Sequence, residues 1–365
     1  MTRLAVSYVL PKLLDHPVGG YKVHYQYADE LARRGHTVTL VHPLSLGSSA
    51  GLRERVTSWR LGRRARRSDV PPITWFAFDP SVRSLVVPAL APEMLPDADA
   101  TILTAWQTAE QTREAPVRIG ALFQVVYDYE FWMTRPDLRV AIAAALRRPD
   151  VEHVATSVVV AGMLRELGIE PVATIPAGLT DGEFGPDVDP ERRGVVVGFA
   201  LRFQPSKDSR TALEAIELIH AAMPEARFVC YGGARDPALP PWVDQLGRVS
   251  SSQLRAFYNR CAVFLLTSAA EGWGLPALEA MACGAAVVST ASGGVTDFLE
   301  DGANGLVVPV GDGAAVANAA CALLRDPARR STLARQAVSD VSGRTTRSSA
   351  DRLEALLVDR VHART

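Results

Sequence analysis

The chain has 365 residues, 48% of them hydrophobic and 22% charged, with a formal net charge of −1. That length suits two domains, each large enough to bury a core, and that hydrophobic share excludes a disordered chain. The near-zero charge removes the electrostatic basis for wholesale binding to nucleic acid.

The opening MTRLAVSYVLPKLLD has a seven-residue apolar run ending at Pro11-Lys12. It reads as a first strand, Leu4–Leu10, rather than a signal peptide. A loop with Gly19-Gly20 follows. Next comes an amphipathic helix with Tyr25, Ala28, Leu31 and Ala32 on one face, stopping at Arg33-Arg34-Gly35 with basic residues in its last turn. Thr37–Val41 is a β-branched strand, which completes a strand–helix–strand unit with parallel strands. Further strands are expected at Ile73–Phe78, Ala100–Thr104, Gly120–Val126, His153–Thr156 and Ala173–Ile175. Helices are expected near Ala105–Arg113 and Leu138–Leu146.

Pro176–Arg193 is the best linker, and the same grammar then restarts. Strands are expected at Gly194–Ala200, Arg227–Tyr231, Ala262–Thr267, Ala285–Thr290 and Gly305–Pro309. Helices are expected at Arg210–Ala222, Ser251–Asn259, Pro276–Cys283, Ala314–Leu324 and Ser348–His362. Alternation of this kind predicts an α/β fold with parallel sheets in two Rossmann-like domains. We divide the chain at 1–180, 181–345 and 346–365, the last a helix assigned to pack back on the N-terminal domain. Cys230, Cys261, Cys283 and Cys321 show no CxxC spacing and read as free thiols of a reducing compartment. No run approaches the roughly 20 apolar residues of a membrane-spanning helix.

The chemistry concentrates in Ser268–Pro309. Glu271 follows a buried strand, Gly272 and Gly274 let backbone approach a ligand, and Pro276 suits a helix start. That helix start offers free N–H groups to an anion. Glu279 lies about one turn in. Taken singly, Glu279 also fits as a complement to the helix dipole and Glu271 as a solvated loop acid. Upstream, Arg202 and Lys207 lie five residues apart above a strand end, where two cations can clamp a diphosphate.

The run EGWGLPALEAMACG, with Trp273 for a usual Phe, resembles the donor signature of family 4 of the retaining glycosyltransferases, the GT-B fold with its two Rossmann-like domains facing a central cleft. FALRFQPSK at Phe199–Lys207 is similar to the family's basic element, with Leu201 and Asp208 where Gly is usual. Asp297 stands for the Glu of a GGxxE pattern, and Ala262 for a common Asp. The resemblance implies that Glu271 touches the transferred sugar and that amides around Gly272, Trp273, Gly274 and Leu275 hold sugar and diphosphate. It also implies that Glu279 binds the ribose and that Gly19-Gly20 face the donor from the N-terminal domain.

QVVYDYEFW at Gln124–Trp132 and TAWQTAE at Thr104–Glu110 resemble a bacterial branch that includes rhamnosyltransferases. Asp128 is therefore a catalytic candidate, and it fits a structural loop carboxylate equally well. Many relatives carry a His near it, and none stands there. Glu130, Trp106 and Trp132 are acceptor candidates, the two Trp fitting a core or rim role equally well.

The implied reaction moves a sugar, such as the 6-deoxyhexose rhamnose, from a TDP- or UDP-sugar to a glycan, lipid-linked or small-molecule acceptor, with retention. The diphosphate sugar is a co-substrate. No cofactor or metal is expected, because there is no DxD triad of the kind that holds a divalent ion and the two cations replace it. The seven Arg between Arg53 and Arg67 read first as a solvated face, next as a site for an anionic acceptor, and last as a peripheral membrane contact. The enzyme is expected in the cytoplasm, at or near the inner membrane face. A phosphorylase-like or sugar-nucleotide-cleaving enzyme and a non-catalytic binding subunit stay open as alternatives. A nicotinamide dehydrogenase does not, since no GxGxxG occurs.

Overall fold

The computed structural model describes residues 2–45, 73–114, 116–233, 235–236 and 238–364. The Arg-rich stretch 53–67 lies outside the described residues. The chain divides into two compact units, Met1–Gly178 with Thr346–Thr365, and Leu179–Thr345.

The first unit is a seven-stranded parallel sheet in the order β3-β2-β1-β4-β5-β6-β7. Its strands are β1 (Ala5–Val9), β2 (Thr37–Pro43), β3 (Arg83–Val87), β4 (Ala100–Leu103), β5 (Ala121–Val126), β6 (Val151–Ala155) and β7 (Ala173–Thr174). Val6 pairs with Val38 on one side and Ala100 on the other. β4 and β5 are buried along their whole length, as expected of parallel strands covered on both faces. Helices α1 (Gly19–Arg33), α2 (Trp106–Gln111), α3 (Tyr129–Thr134), α4 (Arg139–Leu146) and α5 (Val158–Glu166) fill the crossovers.

Two expectations need correcting here. Gly19 and Gly20 are the first turn of α1, not a preceding loop. Ile73–Phe78 is no strand. Trp75, Phe76 and Phe78 gather instead around Tyr25 of α1, at ring centroid distances of 5.2, 5.6 and 5.1 Å, and Trp75 Nε1 donates to the Leu14 carbonyl at 3.2 Å. Aromatic packing overrides the β propensity of the segment, and β3 takes the place beside β2.

The second unit is a six-stranded parallel sheet in the order β10-β9-β8-β11-β12-β13. Its strands are β8 (Val196–Leu201), β9 (Arg227–Gly232), β10 (Val243–Gln245), β11 (Val263–Leu266), β12 (Ala286–Thr290) and β13 (Leu306–Val308). The helices are α6 (Ser209–Ala222), α7 (Ser251–Arg260), α8 (Leu275–Ala282), α9 (Gly313–Arg325) and α10 (Pro327–Val341). On α6, Ala212, Ala215, Ile216 and Ile219 are buried, the three-and-four spacing of one helix face. They share a core with Phe199, Val263, Val288, Val316 and Ala320. Pro276 occupies the second helical position of α8, because Gly274 is the cap and Leu275 comes first.

The last helix, α11 (Thr346–His362), belongs to the first unit and packs on α1. Ala350, Leu353 and Leu357 are buried on it, and a charged cluster adds to that packing. The Leu4 amide donates to His36 Nδ1 at 3.1 Å, so His36 Nε2 carries the ring proton and donates to Glu354 Oε1 at 3.0 Å. Arg34 Nη1 donates to the other oxygen, Oε2, at 2.7 Å. Burial pushes the Glu354 carboxyl up, and the bonds from Arg34 and His36 outweigh it, so its pKa falls below the usual value. Asp351 also meets Arg34, at 2.8 Å, but its side chain is 63% exposed against 19% for Glu354. Glu354→Ala should therefore lower stability by about 1–3 kcal/mol, by leaving the buried His36 N–H unanswered, while Arg34 keeps Asp351 and Glu30. Asp351→Ala should cost less than about 1 kcal/mol. Urea midpoints of the two variants, read by far-UV dichroism, check the contrast.

Candidate active site

Sheet order positions the candidate residues of the second unit. β8 has β9 on one side and β11 on the other, so the crevice at the C-terminal ends of β8 and β11 is a topological switch point, where open α/β sheets bind ligands. Arg202 and Lys207 follow β8, and Glu271 follows β11. Lys207 Nζ meets Glu271 Oε1 at 2.9 Å, with side chains 14% and 5% exposed. Ser268 Oγ donates to the same oxygen at 2.7 Å. The Arg202 guanidinium lies over the Tyr231 ring at 5.9 Å. Burial opposes its charge, but Tyr231, Glu271, Tyr258 and Glu279 together outweigh that, and its pKa is raised. The structure therefore brings Arg202, Lys207, Glu271 and Glu279 into one electrostatic neighbourhood.

The loop between Lys207 and α6 explains the departure at position 208. Asp208 has φ 38° and ψ 56°, the left-handed region. Gly is the easy choice there, and Asp is among the few side chains that tolerate it. Asp208 also caps α6, accepting from the Thr211 amide at 3.4 Å and from Thr211 Oγ1 at 2.6 Å.

The signature loop is tied down by backbone. The Glu271 amide donates to the Ser292 carbonyl at 2.6 Å, and the Gly294 amide to the Glu271 carbonyl at 2.9 Å. Gly274 adopts φ +96°, and a Cβ on it would lie 2.4 Å from Val295 Cγ2. A Cβ on Gly294 would lie 2.2 Å from the Gly272 carbonyl oxygen. Both positions exclude a side chain. The Trp273 ring is buried against Phe298 at 5.0 Å and under Arg344 at 5.8 Å, so Trp273 faces the interior and Leu275 starts the helix. Glu279, on α8, accepts from Tyr258 Oη at 3.0 Å.

In the first unit, β1 lies between β2 and β4, which makes a second switch point. α1 follows β1 and begins at Gly19-Gly20, where a Cβ on Gly20 would meet nothing within 4 Å. Trp106 follows β4, and Asp128 follows β5. Asp128 is buried. It accepts from Gln124 Nε2 at 3.0 Å and from the Trp106 amide. Burial outweighs both bonds and pushes the Asp128 carboxyl up to about 7. Glu130 lies in the first turn of α3 and is half-buried. The Trp106 ring packs against two core clusters, and Trp132 packs against one of them beneath Arg139, at 5.4 Å.

Residues 194–326 match the family model described as Glycosyl transferases group 1. The second unit carries the group 1 region. D-inositol 3-phosphate glycosyltransferases are among the relatives. That of Stackebrandtia nassauensis is 28% identical over 281 residues, covering 70% of this chain and 60% of the relative. That of Acidothermus cellulolyticus is 28% identical over 342 residues, covering 76% and 75%. The chain thus spans less than two thirds of the first. Among solved structures, sucrose-phosphate synthase of Thermosynechococcus elongatus superposes with TM-score 0.78 at 19% identity, over 100% of both chains. Anabaena HepE, in complex with UDP-glucose, gives 0.73 at 17%, over 98% of this chain and 100% of that one. The fold is GT-B.

Several residues around the candidate sites of the two units escape sequence reading. Tyr231 and Tyr258 meet across β9 and α7. Arg193 is buried where α7 and α8 end, donating to the carbonyls of Tyr258 at 3.0 Å, Cys261 at 2.8 Å and Cys283. A cation there complements both helix dipoles, and burial pulls its pKa below the usual value. Gln124, under Asp128, sits beside His153 in the register of β5 and β6. Nothing local in the sequence marks any of these.

The raised Asp128 pKa has a pH signature. Between about pH 4 and 7 the folded state binds a proton that the unfolded state has released, so stability falls as pH rises through that window and levels off above 7. Asp128→Asn keeps an acceptor for Gln124 and removes the titration. The variant should be more stable than wild type at pH 8 by on the order of 2–4 kcal/mol, with the gain fading toward pH 4. Denaturant melts at both pH values measure it; a pH-independent difference would contradict the assignment.

Proposed function

We propose that the chain is a retaining glycosyltransferase, moving a sugar from a nucleoside diphosphate donor to an acceptor hydroxyl. The observation that carries this is the meeting of Lys207 and Glu271 at the β8/β11 switch point, beside Arg202. Two cations suit a diphosphate, and a carboxylate beside them suits sugar hydroxyls. Glu279, further along α8, is assigned to the ribose, and the amides from Gly272 to Leu275 to the sugar and diphosphate. In the first unit, the start of α1 at Gly19-Gly20 is assigned to the donor's phosphate edge. Asp128, titrating near neutrality, is placed on the acceptor side with Glu130, Trp106 and Trp132.

In this scheme the bond between the anomeric carbon and the phosphate oxygen breaks and its electron pair stays on the phosphate. The acceptor oxygen attacks from the same face, and its proton passes to the departing phosphate oxygen. Arg202 and Lys207 stabilise the charge that grows there, the largest contribution expected of such a site. The two cations stand in for a metal, so chelators should leave turnover unchanged. A UDP donor is supported by the UDP-glucose complex of HepE, with TDP next. The sugar is a hexose or a 6-deoxyhexose such as rhamnose. The names of the relatives support a small phosphorylated polyol among the acceptors, beside glycan and lipid-linked ones. The protein is placed in the cytoplasm. Among the described residues no helix is long and apolar enough to cross a membrane, and peripheral contact is assigned to Arg53–Arg67.

Calorimetric titration with UDP, TDP, GDP and ADP tests the donor site. Wild type should bind one of them in the micromolar range, and Arg202→Ala/Lys207→Ala should lose at least about 100-fold, the effect of removing two charge-assisted contacts. No binding to any of the four would overturn the reading in favour of a non-nucleotide ligand.

A further inference from the structure

A buried line of hydroxyls in the second unit has no part in the scheme above. Tyr231 lies in the C-terminal half of β9 and Tyr258 lies in α7, and both are buried. Tyr258 Oη donates to Glu279 Oε2 at 3.0 Å. Tyr231 Oη lies 3.0 Å from Tyr258 Oη. Beyond Tyr231 stands the Arg202 guanidinium, which also hydrogen-bonds it. Each phenol has a single proton. Tyr258 gives its proton to the carboxylate, so toward Tyr231 it can only accept. The Tyr231 proton is thereby committed to Tyr258, and its oxygen can only accept from Arg202. The line has one direction: Arg202 to Tyr231 to Tyr258 to Glu279. Burial raises both phenols, Tyr231 to about 12 and Tyr258 well above its usual value, so both stay protonated donors at neutral pH.

We infer that Tyr258, backed by Tyr231, is a positioning residue that fixes the Glu279 carboxylate for the ribose of a bound nucleotide and links it to Arg202 at the diphosphate. The inference rests on the nucleotide-sugar reading. The physical case has two parts. A glutamate has three side-chain torsions, and ordering them costs entropy that a fixed donor removes from the binding step. A directed line of buried hydrogen bonds also polarises along its length, so a charge change at the Arg202 end is felt at Glu279. The tyrosines touch neither sugar nor diphosphate in this scheme and act only through the two charged residues.

The test uses the full chain and whichever of UDP, TDP, GDP and ADP binds wild type most tightly, with inorganic diphosphate as the second probe. Titrations compare wild type, Tyr258→Phe, Glu279→Ala and the double variant. Tyr258→Phe should lose about tenfold in nucleotide affinity, about 1.4 kcal/mol, and less than about twofold for inorganic diphosphate. In the Glu279→Ala background the same change should cost almost nothing, because the residue it positions is gone. Tyr231→Phe leaves the Tyr258 proton on Glu279 and should give a loss of roughly threefold, between wild type and Tyr258→Phe. It also serves if Tyr258→Phe folds poorly. A full tenfold loss persisting without Glu279, or an equal loss for inorganic diphosphate, would overturn the positioning role. Nucleotide affinity unchanged in Tyr258→Phe would overturn it too, with the donor-site reading intact. Wild type binding none of the four nucleotides would bring down that reading and this inference together.

Discussion

The second unit is organised around one pair of charges. Lys207 and Glu271 lie 64 residues apart and meet at 2.9 Å. They meet because β8 and β11 are parallel neighbours, with Val197 beside Val263, so the loops leaving both strands emerge at one level. Such a pair contributes little net stability, since taking two charges out of water offsets most of their attraction. Ser268 adds a second bond to the same carboxylate oxygen, and Arg202 stands on the same strand-end loop as Lys207. The β8/β11 juxtaposition collects two cations and a carboxylate where a smaller fold could not keep them partly dry.

The direction of α8 depends on that juxtaposition. Its N-terminal approach is stitched to the loop after β12 through the Glu271, Ser292 and Gly294 backbone. At Gly294 the backbone of Gly272 comes so close that only hydrogen fits in place of a side chain, and at Gly274 the positive φ and the Val295 side chain have the same effect. Its far end is anchored by Arg193, which reaches the Cys283 carbonyl just past the helix. One end is fixed by the absence of side chains and the other by a long cationic one. Between them the helix keeps its amide-bearing end, with Glu279 one turn on, oriented toward the strand ends.

Legibility in the sequence followed the range of each constraint. EGWGLPALEAMACG could be read because its demands are local: glycines for close backbone contact, a proline for a helix start, acids at a fixed spacing. The alternation of strands and helices could be read because burial on both faces leaves short apolar runs. Tyr231, Tyr258, Arg193 and Gln124 could not, because each has an ordinary local setting and gains its role from another element. Ile73–Phe78 misled because Trp, Phe and Ile are strand formers wherever they stand. The true edge strand, RSLVV, begins with exposed polar residues and gives a weak signal. Asp208 marks the reverse case. It departs from the usual Gly but meets the same backbone demand by a different chemistry, and adds a helix cap.

Both units answer some of their buried polar groups and leave others unanswered among the described residues. In the second, the acids at 271 and 279 are answered by Lys207, Ser268 and Tyr258. In the first, Tyr8 Oη, His24 Nδ1 and Nε2, and Tyr127 Oη are buried with no hydrogen-bond partner among the described residues, though His24 lies edge-on to Tyr127 at 5.3 Å and to Tyr8 at 6.1 Å. Burial drives the His24 pKa down to about 3 while it drives Asp128 up to about 7. Both shifts follow from one cause, since a poorly solvated site disfavours charge of either sign. Buried polar groups of this kind call for a partner, from protein or solvent. Here they gather around the strand ends next to Asp128 and the start of α1, the same level of the sheet at which the second unit sets its charged pair.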